Sequence, residues 1–187
     1  VLMLTDPEVS PRVNVRFRRL LRDHYVPVWD RRRATGYCYC NTCFTRAGTW
    51  LDECNAENQT ALIRAFGPLA PDAMITDAGW FEGGWAQGVG NLTIDRRKYP
   101  QGIAPVAAEA ERTGTKYGLW YEVERAVAGS EPWRDHPDWL LWREGDESNA
   151  LVNFALEPVR EHVFNHVAAN LALPGYACYR QDFNMEP

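Results

Sequence analysis

Lysine is nearly missing from this sequence: of its 20 basic residues only Lys98 and Lys116 are lysines, and the rest are arginines spread along the chain. Against 25 acidic residues the formal net charge is -5, which leaves no basic excess for a phosphate-binding face. Nucleic acid is therefore not an expected partner. Long apolar runs are missing as well. No stretch approaches the roughly 20 residues that cross a bilayer, and the apolar part of "VLMLTDPEVSPR" is too short for a secretory leader, so a soluble, cytoplasmic protein without a membrane partner is expected. Cysteine is scarce and odd in number: Cys38, Cys40, Cys43, Cys54 and Cys178. A chain of this size buries about 70% of its unfolded surface and needs no disulfide staples, so reduced thiols are the simplest reading. The C-x-C-x-x-C spacing lacks a fourth ligand at finger-like distance, and Cys38 and Cys40 fall on one face of a strand. Neither a metal nor a cofactor is expected. His162 and His166, four apart on a helix, read as solvated surface.

Aromatic residues are what the chain has in quantity: eight Trp, eight Tyr and seven Phe. Several stand beside carboxylates, as Asp77 with Trp80, Trp120 with Glu122, and Asp138 with Trp139. Aromatic faces next to acids suit a sugar, whose ring presents apolar CH faces to stack on and hydroxyls to hydrogen-bond.

One theme repeats along the sequence. After a helix expected around Val15 to His24, short apolar runs end in polar residues and are followed by helical patterns. The runs are "GYCYCNT" at 36–42, "DAMITDAGW" at 72–80, "KYGLWYEVE" at 116–124 and "YACYRQD" at 176–182. The first is followed by a helix over Glu57 to Phe66, with Ala61, Leu62, Ala65 and Phe66 expected on its buried face. The second leads to a helix near Ile103 to Arg112, which Gly114 would cap in the left-handed conformation. The third continues into a long aromatic-rich loop, in which "EGDES" at 144–148 reads as an exposed turn. A helix then starts at Pro158, with Val159, Val163, Val167 and Leu171 at helical spacing. Strands alternating with helices imply an α/β fold with parallel strands, and such folds gather chemistry at the carboxyl ends of strands. Asn41, Asp77, Glu122, Glu124, Asp182 and Asn184 all lie at such ends.

"ITDAGWF", "KYGLWYEVERA", "HPDWLL" and "YRQDFN", in this order and spacing, resemble the catalytic barrel of glycoside hydrolase family 36, the α-galactosidase or melibiase family. "CNTC" at 40–43 and "GVGNLTIDRRKYPQGI" resemble two further stretches of that family, and the likeness runs from about Phe17 to Pro187. The resemblance implies a (β/α)8 TIM-barrel type of fold, of which this chain is an N-terminal half-barrel of about four βα units. The expected organisation is a single domain over 1–187, with 1–30 as lead-in helix and linker. It also implies the site. Asp182 matches the family's nucleophile, and Arg180 and Asn184 would hydrogen-bond sugar hydroxyls beside it. Asp77 would bind hydroxyls on the far side of the ring, Trp80 and Trp120 would form the pocket wall, and Glu122 would lie near its rim with Glu124.

The implied substrate is an α-galactoside oligosaccharide or glycoside, hydrolysed with retention through a covalent glycosyl-aspartate. A retaining glycosidase needs a second carboxyl about 5 to 5.5 Å from the first, as general acid and then base. In the family it follows strand six, beyond this half, so the chain alone is expected to be inactive on such substrates. The open edge of a half-barrel would favour a homo-oligomer. Departures from the family pattern are Cys43 and Leu92 where Trp is usual, Ala78 where a second Asp is common, and Arg180 in place of Lys. The alternatives are an α-glycosidase or transglycosylase of different sugar specificity, and a non-catalytic half-barrel that binds sugar or self-associates.

Overall fold

The computed structural model describes residues 11–25, 39–41 and 54–185. The chain divides into two compact units, Val1–Tyr37 and Cys38–Pro187. In the first, helix α1 spans Pro11–His24. It begins four residues before the expected start because Pro11 is compatible with a first turn. Arg22 and His24 in the last turn complement the negative end of its dipole.

The second unit starts with strand β1 at Tyr39–Asn41, the only part of the "GYCYCNT" run among the described residues; Cys38 and Cys43 lie outside them. Helix α2 at Ala56–Phe66 and a 3-10 turn at Gly67–Leu69 lead to β2 at Ala73–Thr76. Helices α3 at Gly84–Gln87 and α4 at Ala104–Arg112 precede β3 at Lys116–Tyr121. Asn55 caps α2 through its side-chain oxygen, which accepts from the Asn58 amide. After α4, Gly114 adopts φ of +77°, the left-handed position expected for it.

The expected loop after β3 is instead folded. It forms β4 at Arg125–Val127, α5 at Glu131–Asp135, a 3-10 turn at Pro137–Trp139, β5 at Leu140–Trp142 and β6 at Asn149–Val152. These strands make an antiparallel sheet in the order β4-β6-β5. Strands of three and four residues are too short to show an alternating pattern, which is why the sequence conceals them. The exposed 144–148 turn joins β5 to β6. Helix α6 at Glu157–Leu171 and β7 at Tyr176–Gln181 complete the chain.

The four apolar runs become one parallel sheet, β1-β2-β3-β7, in which strand order follows chain order with helices between the strands. These are consecutive βα units, as the α/β reading requires. Both faces of the sheet are covered: Met74 of β2 and Tyr117, Leu119 and Trp120 of β3 are all at most 2% exposed, as is Trp80 after β2. Between β3 and β7 the backbones approach so closely that a Cβ on Gly118 would lie 2.3 Å from the Cys178 carbonyl oxygen. The register shifts just before this glycine.

Two helical faces differ from expectation. On α2 the buried positions are Gln59 and Ile63, while Ala61 and Ala65 face outward. Gln59 turns inward because its amide oxygen accepts from Thr76 Oγ1 at 2.9 Å and its amide nitrogen donates to Cys54 Sγ. A satisfied buried amide thus outweighs two methyl groups. On α6 Val159 is fully buried, but Leu171 is 41% exposed. The helix is instead tied by Asn170, whose side chain donates to the Tyr121 hydroxyl at 3.0 Å. Tyr176 donates to that same hydroxyl at 3.2 Å, so β3, β7 and α6 share one buried polar seam. Burial pushes the pKa of both phenols upward, which keeps them protonated and neutral.

Among the described residues no helix is long and apolar enough to cross a membrane. Among them, too, no group of three or more His, Cys, Asp or Glu is arranged to hold a metal ion.

Candidate active site

Parallel strands start and stop together, so the residues that follow them share one edge of the sheet. Thr76 of β2 pairs with Leu119 of β3, and Trp120 pairs with Arg180 of β7. Asp77 therefore follows β2, Glu122 follows β3 and Asp182 follows β7 on the same side. Arg180 and Asp182, two apart, project to one face. The Asp182 amide donates to the Tyr121 carbonyl at 2.9 Å, which carries the ladder one step past the strand and fixes the carboxylate's origin.

Several donors converge on that carboxylate. Trp120 Nε1 donates to Oδ2 at 3.1 Å, Arg180 Nη2 donates to the same oxygen at 3.3 Å, and the Phe183 amide donates to Oδ1 at 3.0 Å. The Trp120 hydrogen bond, with those from Phe183 and Asn184 and the Arg180 charge, holds Asp182 below the usual carboxylate range despite partial burial. A carboxylate that stays ionised at neutral pH is the form a nucleophile needs. The other arm of Arg180 points across β3 to Asp77, with Nη1 3.8 Å from Oδ2. That Nη1 is buried and makes no hydrogen bond. Asp77 is steadied by the Ala78 amide, which donates to Oδ1 at 2.7 Å. One guanidinium thus spans two carboxylates from strands that are not neighbours.

The two tryptophans expected as a pocket wall are placed differently. Trp80 is fully buried, and its Nε1 donates to the Trp120 carbonyl at 2.8 Å, so its polar edge is satisfied inside the core and no face is open to a ligand. Trp120 is 2% exposed and serves the site through its N–H edge, while its faces pack against Phe81 and Trp85. Glu122 is not a rim residue either. Both its oxygens accept from Arg125, at 2.8 and 2.7 Å, and Oε1 also accepts from the Asn184 amide at 2.7 Å. A carboxylate beside a cation three residues on is buried as a pair because neither partner could be buried alone. Glu124 bonds to the Gln181 side chain on the opposite face from Arg180. Asn184 is exposed, its backbone held by Glu122 and its side chain bonded to Asp182.

The Asp138–Trp139 pair lies in the antiparallel insertion between β3 and α6, in the 3-10 turn before β5, where Trp139 stacks on His136 at 3.8 Å and meets the edge of His162 at 5.2 Å. His162 and His166 are half-buried there rather than solvated, and burial lowers the His162 pKa. Sequence reasoning missed Arg125 and Trp85. The guanidinium of Arg125 lies 5.0 Å from the centre of the Trp85 ring. The i, i+3 spacing of Glu122 and Arg125 was the available signal for the ion pair, whereas nothing local marks Trp85.

The chain resembles known α-galactosidases in sequence and in structure. It is 26% identical over 137 residues to α-galactosidase AgaA of Geobacillus stearothermophilus, covering 70% of this chain and 19% of that protein. To an α-galactosidase of Escherichia coli it is 35% identical over 79 residues, 41% of this chain and 11% of the other. A crystal structure of a GH36 AgaA variant in complex with stachyose matches at a TM-score of 0.72 and 24% identity, covering 87% of this chain and 23% of that one. A crystal structure of GH36 α-galactosidase AgaA from Geobacillus stearothermophilus matches at a TM-score of 0.67 and 25% identity, over 80% of this chain and 21% of the other. These structural neighbours are TIM-barrel enzymes. The present chain spans about a fifth or less of the length of these two curated relatives. The melibiase family model matches residues 47–174, more than half of the chain, a span that holds β2, β3 and helices α2 to α6. A sheet whose strand ends bring Asp77, Arg180 and Asp182 together, in a sequence that fits this model over that span, belongs to the melibiase family.

Proposed function

We propose that this chain forms the nucleophile side of a retaining α-galactosidase site. The observation that carries the reading is the Arg180 guanidinium held between Asp77 and Asp182, with Trp120 Nε1 on the latter. An Asp182 oxygen bonds to the anomeric carbon as the bond from that carbon to the aglycone oxygen breaks, and the leaving oxygen takes a proton from a general acid. That group, now a base, then activates the water that releases the sugar. Arg180 and Asp77 orient the hydroxyls, Arg180 through its buried Nη1 and Asp77 as an acceptor. Asn184 lies beside the nucleophile. With Ala78 supplying no second carboxylate, the hydroxyl contacts on the Asp77 side are fewer, which leaves room for sugars other than galactose.

The acid/base is assigned to none of the neighbouring carboxylates, since Glu122 is tied to Arg125, Glu124 to Gln181 and Asp77 to Arg180. We place it outside these residues, in an enzyme acting in the cytoplasm on terminal α-galactosides. The test uses leaving groups of different need. Fluoride departs without protonation, whereas the sugar alcohol of melibiose does not. The chain is expected to be labelled on Asp182 by 2-deoxy-2-fluorogalactosyl fluoride, as seen by mass spectrometry of peptides, and to leave melibiose intact. Label on another residue, or undiminished labelling in Asp182→Asn, refutes the assignment. Melibiose turnover by the chain alone would show that the acid/base is within it.

One observation favours self-association as a second reading. Along the free edge of β7 runs an apolar groove of about 710 Å³, lined by Val123, Phe154, Val163, Phe164, Val167 and Tyr179 among others. A second half-barrel laid there would cover Phe164, which is 70% exposed. Sedimentation equilibrium decides: a dimer that Phe164→Ser dissociates supports it, and a monomer at all concentrations removes it.

A further inference from the structure

Arg125 lies behind the strand-end site, and two chains of contacts run from it to that site. It sits on β4, in the antiparallel insertion, yet its side chain is only 10% exposed. Its Nε and Nη2 donate to the two oxygens of Glu122, at 2.8 and 2.7 Å, and its Nη1 donates to Asn149 Oδ1 of β6 at 3.0 Å. Its guanidinium carbon lies over the Trp85 ring of α3, 5.0 Å from the ring centre. Two routes lead from there to the strand ends. Through Glu122 Oε1, which also accepts from the Asn184 amide at 2.7 Å, it reaches the segment that follows β7. Through Trp85, whose ring centre is 5.6 Å from that of Trp120, it reaches the indole that donates to Asp182.

From this convergence we propose that Arg125 is a positioning residue: by orienting Glu122 and bracing Trp85 it sets the backbone at Asn184 and the donors around the Asp182 carboxylate. Its importance to catalysis rests on the hydrolase reading above, but the positioning itself does not. The requirement is for a fork as well as a charge. Two parallel N–H groups hold a carboxylate in one plane, a third spans to Asn149, and the delocalised cation sits over an indole; an ammonium supplies the charge alone. With Arg125 altered, Glu122 is free to turn and Asn184 loses a hydrogen bond to a charged acceptor, a loss worth about tenfold in local opening.

Two quantities report on this without any sugar, both by NMR on the 187-residue chain. One is the exchange rate of the Asn184 amide; the other is the titration midpoint of the Asp182 side-chain carbon. In Arg125→Met the amide exchanges about tenfold faster or more, and the Asp182 midpoint moves up toward the ordinary carboxylate range. Arg125→Lys restores the midpoint in part and the amide protection little. Should Arg125→Met fail to fold, Arg125→Lys and Glu122→Gln carry the test, both expected to speed Asn184 exchange while amides of β2 and the α2–α4 pair keep their rates. If both readouts stay at wild-type values in the folded variants, Arg125 merely pins the insertion and the proposal fails. Moved readouts in a chain that the galactosyl fluoride never labels would uphold the positioning role and sink the hydrolase reading.

Discussion

Arg180 serves two acids at once, and its substitution separates charge from shape. Arg180→Lys keeps a cation near Asp182 but cannot span to Asp77, so labelling by galactosyl fluoride is expected to slow by about tenfold or more, with Asp182 still titrating below the normal range. Asp182 also contributes to acid sensitivity. Its folded pKa is depressed, so its contribution to stability is present above the unfolded value and is lost as pH falls through the lower folded value. Urea midpoints measured between pH 6 and 3 should therefore decline less steeply in Asp182→Asn than in the native chain. At this scale the sequence was informative about identity and poor about environment. The pairing of Arg180 with Asp182 follows from alternation on one strand. The burial of Trp80 and Glu122 does not, because an aromatic or acid next to a strand end can face a cleft or the core, and only packing chooses.

The elements are held by a small number of contacts that can be broken singly. In the α2–β2 contact, Thr76 Oγ1 bonds to both Gln59 and the Tyr117 hydroxyl, so Thr76→Val leaves two buried polar groups short of a partner. A loss of about 1 to 3 kcal/mol in unfolding free energy is expected, against less than about 1.5 kcal/mol for an apolar swap that conserves volume. Gly118→Ala should cost about as much through a different cause, forcing β3 and β7 apart where no Cβ fits. Across α2 and α4, Glu109 takes both Arg64 and Arg112, and those hydrogen bonds lower its pKa to about 2. This fork weakens as pH falls from the ordinary Glu value toward 2, a trend that Glu109→Gln should flatten in thermal melts. Helix α6 was readable from periodicity and the strands of the parallel sheet from short apolar or aromatic runs that end in polar residues. The insertion was not, since its strands are shorter than the window in which alternation becomes visible.

For the whole molecule, order along the chain and order in the sheet coincide, so the α/β class and the side on which the strand ends collect could be deduced from the sequence. Parallel neighbours need crossovers, and crossovers need the helices that the 3.6-residue pattern announces. Family membership also lay in the linear text, in motifs long enough to match a model. What the sequence could not decide was which acids are spent on structure. Glu122, Glu124, Asp77 and Asp182 look alike when written in a line. They differ once folding gives each its partners: Arg125 closes on Glu122 and withdraws it, Gln181 takes Glu124, and Arg180 stands between Asp182 and the distant Asp77 and keeps both at the strand ends. Local patterns dictate helix and strand because their period is a property of a few neighbouring residues. The fate of a charge depends on what packs against it, and that is a property of the assembled fold.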